Sequence, residues 1–141
     1  MSTQTFIKLD SLAADFTDRL FTDLTVDGSP AAAAETIIAT VTVASVPRAE
    51  MGVLLFCTAA FTAGTNGTGA NLRIRRTNAA GAIIVASGAV TVVATQLYSP
   101  TVLAFDPLGV AQNQVYVATL QITAGSAPST VSAVTFAALV V

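Results

Sequence analysis

The stretch QVYVATLQIT, residues 114–123, carries the pattern that decides the fold. Side chains of a β-strand point alternately to its two faces, so Tyr116, Ala118, Leu120 and Ile122 share one face. That face is wholly apolar, whereas the opposite face also holds Thr119 and Gln121. One apolar face beside one mixed face predicts a strand that packs on a core from one side.

The chain contains seven further short β-rich runs, with turn residues such as Ser99-Pro100 between them. Short strands separated by turn signals are typical of a sandwich or barrel rather than of alternating helices and strands. We therefore predict an all-β domain of eight strands. The runs are ETIIATVTVA (35–44), GVLLFCTAAFT (52–62), ANLRIRRT (70–77), AIIVAS (82–87), AVTVVATQ (89–96), TVLAFD (101–106), QVYVATLQIT (114–123) and TVSAVTFAALVV (130–141).

Two of these runs are apolar on both faces. The run 52–62 has hardly any polar position, which predicts a central strand covered on both sides. The run 130–141 has the same character, so we expect it in the middle of a sheet or at a subunit axis. In the run 70–77, by contrast, Leu72 and Ile74 should point inward, and the arginines between them outward.

A Gly-Ser-Pro cluster at residues 28–30 marks the one candidate boundary in the chain. We divide the chain there into an N-terminal arm, residues 1–34, and the β-sandwich domain, residues 35–141. Apolar residues before the cluster recur every three or four positions, which favours a short helix. An extended arm that places its apolar side chains in successive pockets satisfies the same residues. The candidate partner-binding residues of this arm are Phe6, Leu9, Leu12, Phe16, Leu20 and Phe21.

Composition points to a chain that buries surface against other proteins. The chain is 53% hydrophobic and only 10% charged, whereas charged residues make up about a quarter of an average domain. No apolar run reaches the length of about 20 residues that a membrane-spanning helix needs, and the first ten residues lack the features of an export signal. We therefore expect synthesis in the cytoplasm, no membrane partner, and oligomerisation as the means of covering the apolar surface.

The residues available for chemistry are few. The sequence has no histidine and a single cysteine, Cys57, which lies in an apolar run and is interpreted as a small buried hydrophobe. Glu50 and Asp106 adjoin proline or turn residues, where acidic side chains commonly serve turns. We therefore expect no enzyme activity, no catalytic or metal-binding residues, no cofactor and no small-molecule substrate. The other six carboxylates fall in residues 1–35: Asp10, Asp15, Asp18, Asp23, Asp27 and Glu35.

Three arginines, Arg73, Arg75 and Arg76, form the densest basic group. They are a candidate contact face for a partner, although an ordinary solvated strand face is the simpler account of them. Nucleic-acid binding usually needs a broad basic patch, and the net charge here is −2. We therefore expect no nucleic-acid partner.

An acidic N-terminal segment, eight strands, a glycine-rich loop after the second of them and the C-terminal run SAVTFAALVV together resemble the capsid decoration, or cement, proteins of tailed bacteriophages. The resemblance implies an antiparallel jelly-roll or tumour-necrosis-factor-like sandwich that forms a homotrimer. It further implies binding to the major capsid protein on the outside of the virion, with the arm stapling neighbouring subunits. The alternative is the tip of a trimeric head or tail fibre, or a receptor-binding domain that recognises carbohydrate.

Overall fold

Ten β-strands lie in the residues that the computed structural model describes, which are 19–44, 52–107, 113–123 and 128–141. All strand pairs among them are antiparallel. The strands are β1 (Leu20–Asp23), β2 (Thr36–Val43), β3 (Gly52–Thr62), β4 (Gly67–Arg76), β5 (Ile83–Ala86), β6 (Val90–Val92), β7 (Leu97–Tyr98), β8 (Thr101–Pro107), β9 (Gln114–Ile122) and β10 (Thr130–Val140).

The strands form two sheets that face each other. The first sheet runs β1, β10, β3 and β8, with the two-residue β7 also paired to β3; the second runs β2, β9, β4 and β5, with β6 also paired to β4. Pairing is nested: β1 pairs with β10, β2 with β9, β3 with β8, and β4 with β5. A long hairpin folded over on itself in this way is the topology of a jelly roll. The predicted all-β, jelly-roll-like sandwich is confirmed.

The predicted number of eight strands is wrong, because the structure has ten. Each of the eight predicted runs contains a strand, and the two additional strands are the short β1 and β7. The helical spacing of the apolar residues before the Gly-Ser-Pro cluster includes Leu20. Leu20–Asp23 instead pair with β10, because the open edge of β10 offers backbone hydrogen bonds that these residues satisfy. The segment assigned to the arm thus contributes a strand to the first sheet.

The core lies between the sheets and is filled by the inward-facing residues of both. Leu72 and Ile74 are fully buried, which confirms the predicted alternation in β4, and Cys57 is fully buried as well. The largest of the other fully buried side chains are Tyr116, Phe61, Phe136, Ile38, Leu55, Leu120, Ile122, Val43 and Val53.

β3 and β10 are the two central strands of the first sheet. The prediction that β10 lies in the middle of a sheet is therefore confirmed. The prediction that β3 is covered on both sides is wrong for the single chain, because Leu54 and Phe56 are exposed on its outer side. Nothing within the described ranges of the chain covers that side, and this uncovered surface is where the candidate site lies.

Candidate interaction surface

Large apolar side chains form two rows across the outer side of the first sheet. In the first row, Leu20 lies opposite Leu139, Leu139 opposite Leu54, and Leu54 opposite Phe105. The second row lies two residues away on each strand and contains Thr22, Ala137, Phe56 and Leu103. Cross-strand neighbours on one face are close enough to touch. We call these eight residues the apolar face.

Five side chains of the apolar face are well exposed, although all are large and hydrophobic. The exposed fractions are 62% for Leu103, 54% for Phe105, 48% for Leu20, 37% for Leu54 and 36% for Phe56. Together they present on the order of 500 Å² of contiguous apolar surface, a size at which patches on monomers are often functional.

Smaller side chains continue the same outer side beyond the second row. Thr58 lies opposite Thr135 and Thr101, and Ala60 lies opposite Ala133. Because these side chains are short, the surface sinks here into a depression of about 190 Å³. We call this depression the hollow; it is lined by Thr58, Ala60, Ser99, Ala133, Val134 and Thr135.

The two outer sides of the sandwich differ in charge. Neither the apolar face nor the hollow contains a charged residue. The outer side of the second sheet instead holds Glu35 with Arg73 and Arg75. An antiparallel sandwich normally has polar outer sides, so the second sheet follows the rule and the first sheet departs from it.

Glu35 is the centre of a polar cluster on the second sheet. Arg75 donates two hydrogen bonds to its carboxylate, from Nε at 2.8 Å and from Nη2 at 3.0 Å. Thr119 Oγ1 donates another at 2.6 Å, and Arg73 Nη1 lies 3.4 Å from the same carboxylate. Burial raises the pKa of Glu35, but the hydrogen bonds from Arg75 and Thr119 and the charges of both arginines outweigh it and hold the pKa below its usual value.

A second polar cluster joins the two sheets from inside. The carboxylate of Asp106, on β8, is only 2% exposed and accepts a hydrogen bond from the buried Tyr116 hydroxyl at 2.7 Å. Arg76 donates to the same carboxylate through Nε at 3.1 Å and through Nη2. The interpretation of Asp106 as a turn residue is therefore wrong. Burial, then the hydrogen bond and charge of Asp106, raise the pKa of Tyr116.

The candidate arm residues divide into three groups. Phe6, Leu9, Leu12 and Phe16 lie outside the described residues. Leu20 belongs to the apolar face, and Phe21, its neighbour in β1, points the other way and packs against the core.

The three candidate arginines do not share one face. Arg73 and Arg75 lie on the outer side of the second sheet and pair with Glu35. Arg76 turns toward Asp106 and bridges the sheets. Their use as partner contacts stays a prediction.

Sequence reasoning did not select four of the five exposed side chains of the apolar face, Leu54, Phe56, Leu103 and Phe105. A signal was present, because both sides of β3 and of β8 carry apolar residues. Apolar residues on both sides of a strand predict that both sides are buried. The alternation does not say whether the same chain buries both.

The described residues also contain a small apolar cleft between the ends of the sheets. It measures about 230 Å³ and is lined by Phe61, Ala70, Val90, Val92, Tyr98, Ser99 and Pro100. The rings of Phe61 and Tyr98 stack at a centroid distance of 5.6 Å, and the Tyr98 hydroxyl accepts a hydrogen bond from the Val93 N–H at 2.8 Å. Its lining contains no histidine, lysine, cysteine, aspartate or glutamate.

Within the described ranges, no group of three or more potential metal-ligating side chains is arranged to hold an ion. No helix there is long and apolar enough to cross a lipid bilayer.

No protein-family model matches the sequence, and no curated protein matches it. Among solved structures, the chain is similar to a chain of infectious bursal disease virus Gx strain, with a TM-score of 0.54 and 12% identity over 86% of this chain. It spans 32% of that viral chain. At this identity the likeness shows a shared fold.

Two other solved structures are less similar. One comes from the Bacillus endospore appendages, described as disulfide-linked pili, with a TM-score of 0.39, 15% identity, and coverage of 86% of this chain and 87% of that one. The other, from work on CBM4 structure and function, has a TM-score of 0.36, 16% identity, and coverage of 82% and 72%. These TM-scores are too low to carry an argument.

Proposed function

We propose that this chain is a structural virion protein that binds the outside of a bacteriophage capsid as an oligomer, with a trimer as the expected number of copies, and stabilises the shell by bridging capsid subunits. Its partners are then copies of itself and the major capsid protein. The observation that carries the proposal is the apolar face, an uncharged surface on a jelly-roll sandwich whose other outer side is polar. Exposed patches of this kind mark sites of protein association.

The fold supports the same proposal. Jelly rolls serve in viral capsid domains and in lectins, and a solved structure that shares the fold comes from infectious bursal disease virus. A protein that binds an assembled shell more tightly than its separate subunits stabilises the shell by that difference in affinity. Repeated copies multiply weak single contacts into strong attachment. No chemical step is needed for such a role.

The environments of the potential reactive groups favour a role without catalysis. Burial raises the pKa of the Cys57 thiol to about 12, so the reactive thiolate is scarcely populated at neutral pH. Asp106 is held between Tyr116 and Arg76, and Glu35 between Arg75 and Thr119. The hydrogen bonds of each carboxylate thus join different parts of the sandwich.

The segment before β1 supplies the proposed attachment to the shell. β1 lies at the edge of the first sheet, and Leu20 at its start belongs to the apolar face. The chain therefore enters the first sheet beside this surface, and the proposed attachment lies in the sequence that precedes Leu20. Phe6, Leu9, Leu12 and Phe16 are the residues we propose for that contact.

Immunogold electron microscopy of intact particles tests the proposal. The particles come from the phage whose genome encodes this chain, and an antibody against the chain is expected to label the shell surface evenly. Particles of a deletion strain are the control and should lose the label and break at lower temperature or in weaker denaturant. Label confined to a fibre tip would support the receptor-binding alternative instead, and absence of the chain from washed particles would contradict both.

A further inference from the structure

The apolar face and the hollow lie side by side on one surface. Leu103 and Phe105, on the edge strand β8, are the most exposed side chains of the apolar face. The hollow has a volume of about 190 Å³, and a cavity of roughly 150 Å³ is enough for a benzene ring. A leucine or phenylalanine side chain of the apolar face therefore fits the hollow of another copy.

The absence of charge on this surface also favours an identical partner. Like charges brought face to face oppose association, and two copies of a charged surface meet that problem. Neither the apolar face nor the hollow contains a charged residue, so identical surfaces meet here without repulsion. A charged partner would lose hydration and find no counter-charge.

The area of the surface is sufficient for contact between copies. The apolar face of one copy contributes on the order of 500 Å² to the contact from its five exposed side chains. The other copy is covered over a similar area in and around its hollow, so the contact buries on the order of 1,000 Å² in total, which reaches the lower limit for a specific interface. Interfaces between identical chains are also more apolar than other interfaces, in agreement with the composition of this surface.

We infer that this surface binds a second copy of the chain, with the apolar face of one copy packed into the hollow of the next. The inference rests on the proposed function, because it names the partner of the same surface. Each copy supplies both halves of the contact, so a closed ring of copies leaves no apolar face uncovered.

Light scattering coupled to size-exclusion chromatography of the full-length chain at micromolar concentration tests this contact. The wild type should have a mass of at least twice the 14.3 kDa of one chain. Leu103→Glu places a charge in the contact, and because the residue is already 62% exposed, the fold should tolerate it. This variant is expected to elute as a monomer. The matched control Ile83→Glu, on the second sheet at a residue that is 50% exposed, should keep the oligomer.

Filling the hollow provides a second, independent variant. Ala60→Phe makes the surface more apolar but removes the space that the apolar face needs. It should therefore dissociate the oligomer. If association were non-specific and hydrophobic, the same substitution would strengthen it. Circular dichroism and thermal unfolding should show that both Leu103→Glu and Ala60→Phe are folded.

The outcomes separate this inference from the proposed function. A monomeric wild type, or a Leu103→Glu variant that stays oligomeric, overturns the inference. If the antibody still labels intact particles in that case, the proposed function stands. An oligomer that both variants dissociate supports the inference. If that oligomer is absent from washed particles, the proposed function fails while the contact between copies remains.

Discussion

Asp106, Tyr116 and Arg76 form the most deeply placed polar contact among the described residues. The carboxylate is buried, and its partners lie on β9 and β4, so the cluster ties the first sheet to the second. Sequence reasoning could not find it, because the partners are 10 and 30 residues from Asp106 along the chain. Only the nested pairing of strands brings the three residues together.

Substitutions in this cluster should destabilise the sandwich to different degrees. Asp106→Ala leaves the buried Tyr116 hydroxyl without its acceptor and separates Arg76 from its counter-charge, which we expect to cost about 3 kcal/mol or more. Tyr116→Phe removes one hydrogen bond while Arg76 still satisfies Asp106, and should cost about 1 kcal/mol. Urea unfolding followed by fluorescence or circular dichroism measures both. Equal costs would contradict the assigned geometry.

Glu35 should make stability depend on pH. Its pKa is lower in the folded chain than the ordinary value of 4.5, so its contribution is fully present above that value and is lost as pH falls through the lower, folded value. The contribution should amount to about 1–2 kcal/mol at neutral pH.

Comparison with Glu35→Gln isolates this effect, because Asp27 opposes it. Burial, and next the charge of Asp23, raise the pKa of Asp27, so the contribution of Asp27 is present at low pH and is lost as pH rises through the raised value. The wild type should exceed Glu35→Gln in unfolding free energy at pH 7 and converge with it toward pH 3. A constant difference would contradict the ion pair with Arg75.

Cys57 should resist chemical modification in the folded chain. The thiol is fully buried and its pKa is raised to about 12. Iodoacetamide at pH 8 should leave it unlabelled for hours, whereas the same reagent in concentrated guanidinium should label it fully, as mass spectrometry would show. Rapid labelling under native conditions would mean that β3 is not packed as described.

At the scale of elements, the eight β-rich runs were predictable because alternation and turn residues agreed at each of them. β1 was not, since Leu20–Asp23 take their conformation from the edge of β10 rather than from their own spacing. The exposed side of β3 was mispredicted for a related reason. Its apolar residues indicate that this side is buried, but the alternation does not distinguish burial by the same chain from burial by another chain.

Two truncations should separate attachment from folding. Removing residues 1–18 leaves β1 in place and should yield a folded sandwich that no longer binds shells. Removing residues 1–28 also deletes β1, which exposes the edge of β10 and uncovers part of the core under Phe21. The longer truncation should therefore unfold at a markedly lower temperature in calorimetry. Equal melting temperatures would contradict the role of β1 as a sandwich strand.

At the scale of the whole molecule, the low charge of the sequence and the uneven surface of the fold have one explanation. A chain with 10% charged residues cannot place charge on every outer side, and it places Glu35, Arg73 and Arg75 on the second sheet. The first sheet is left with an uncharged surface that suits contact with protein. The composition thus predicts association, and only the fold could locate a surface suited to it.

Cryo-electron microscopy of the intact particle tests the central claim most directly, because it would show both where the chain sits and what covers the apolar face. The account predicts jelly-roll density on the outside of the shell, with Leu103 and Phe105 buried against protein. Density in which these two side chains face solvent in the assembled particle, or a particle that lacks the chain, would contradict it.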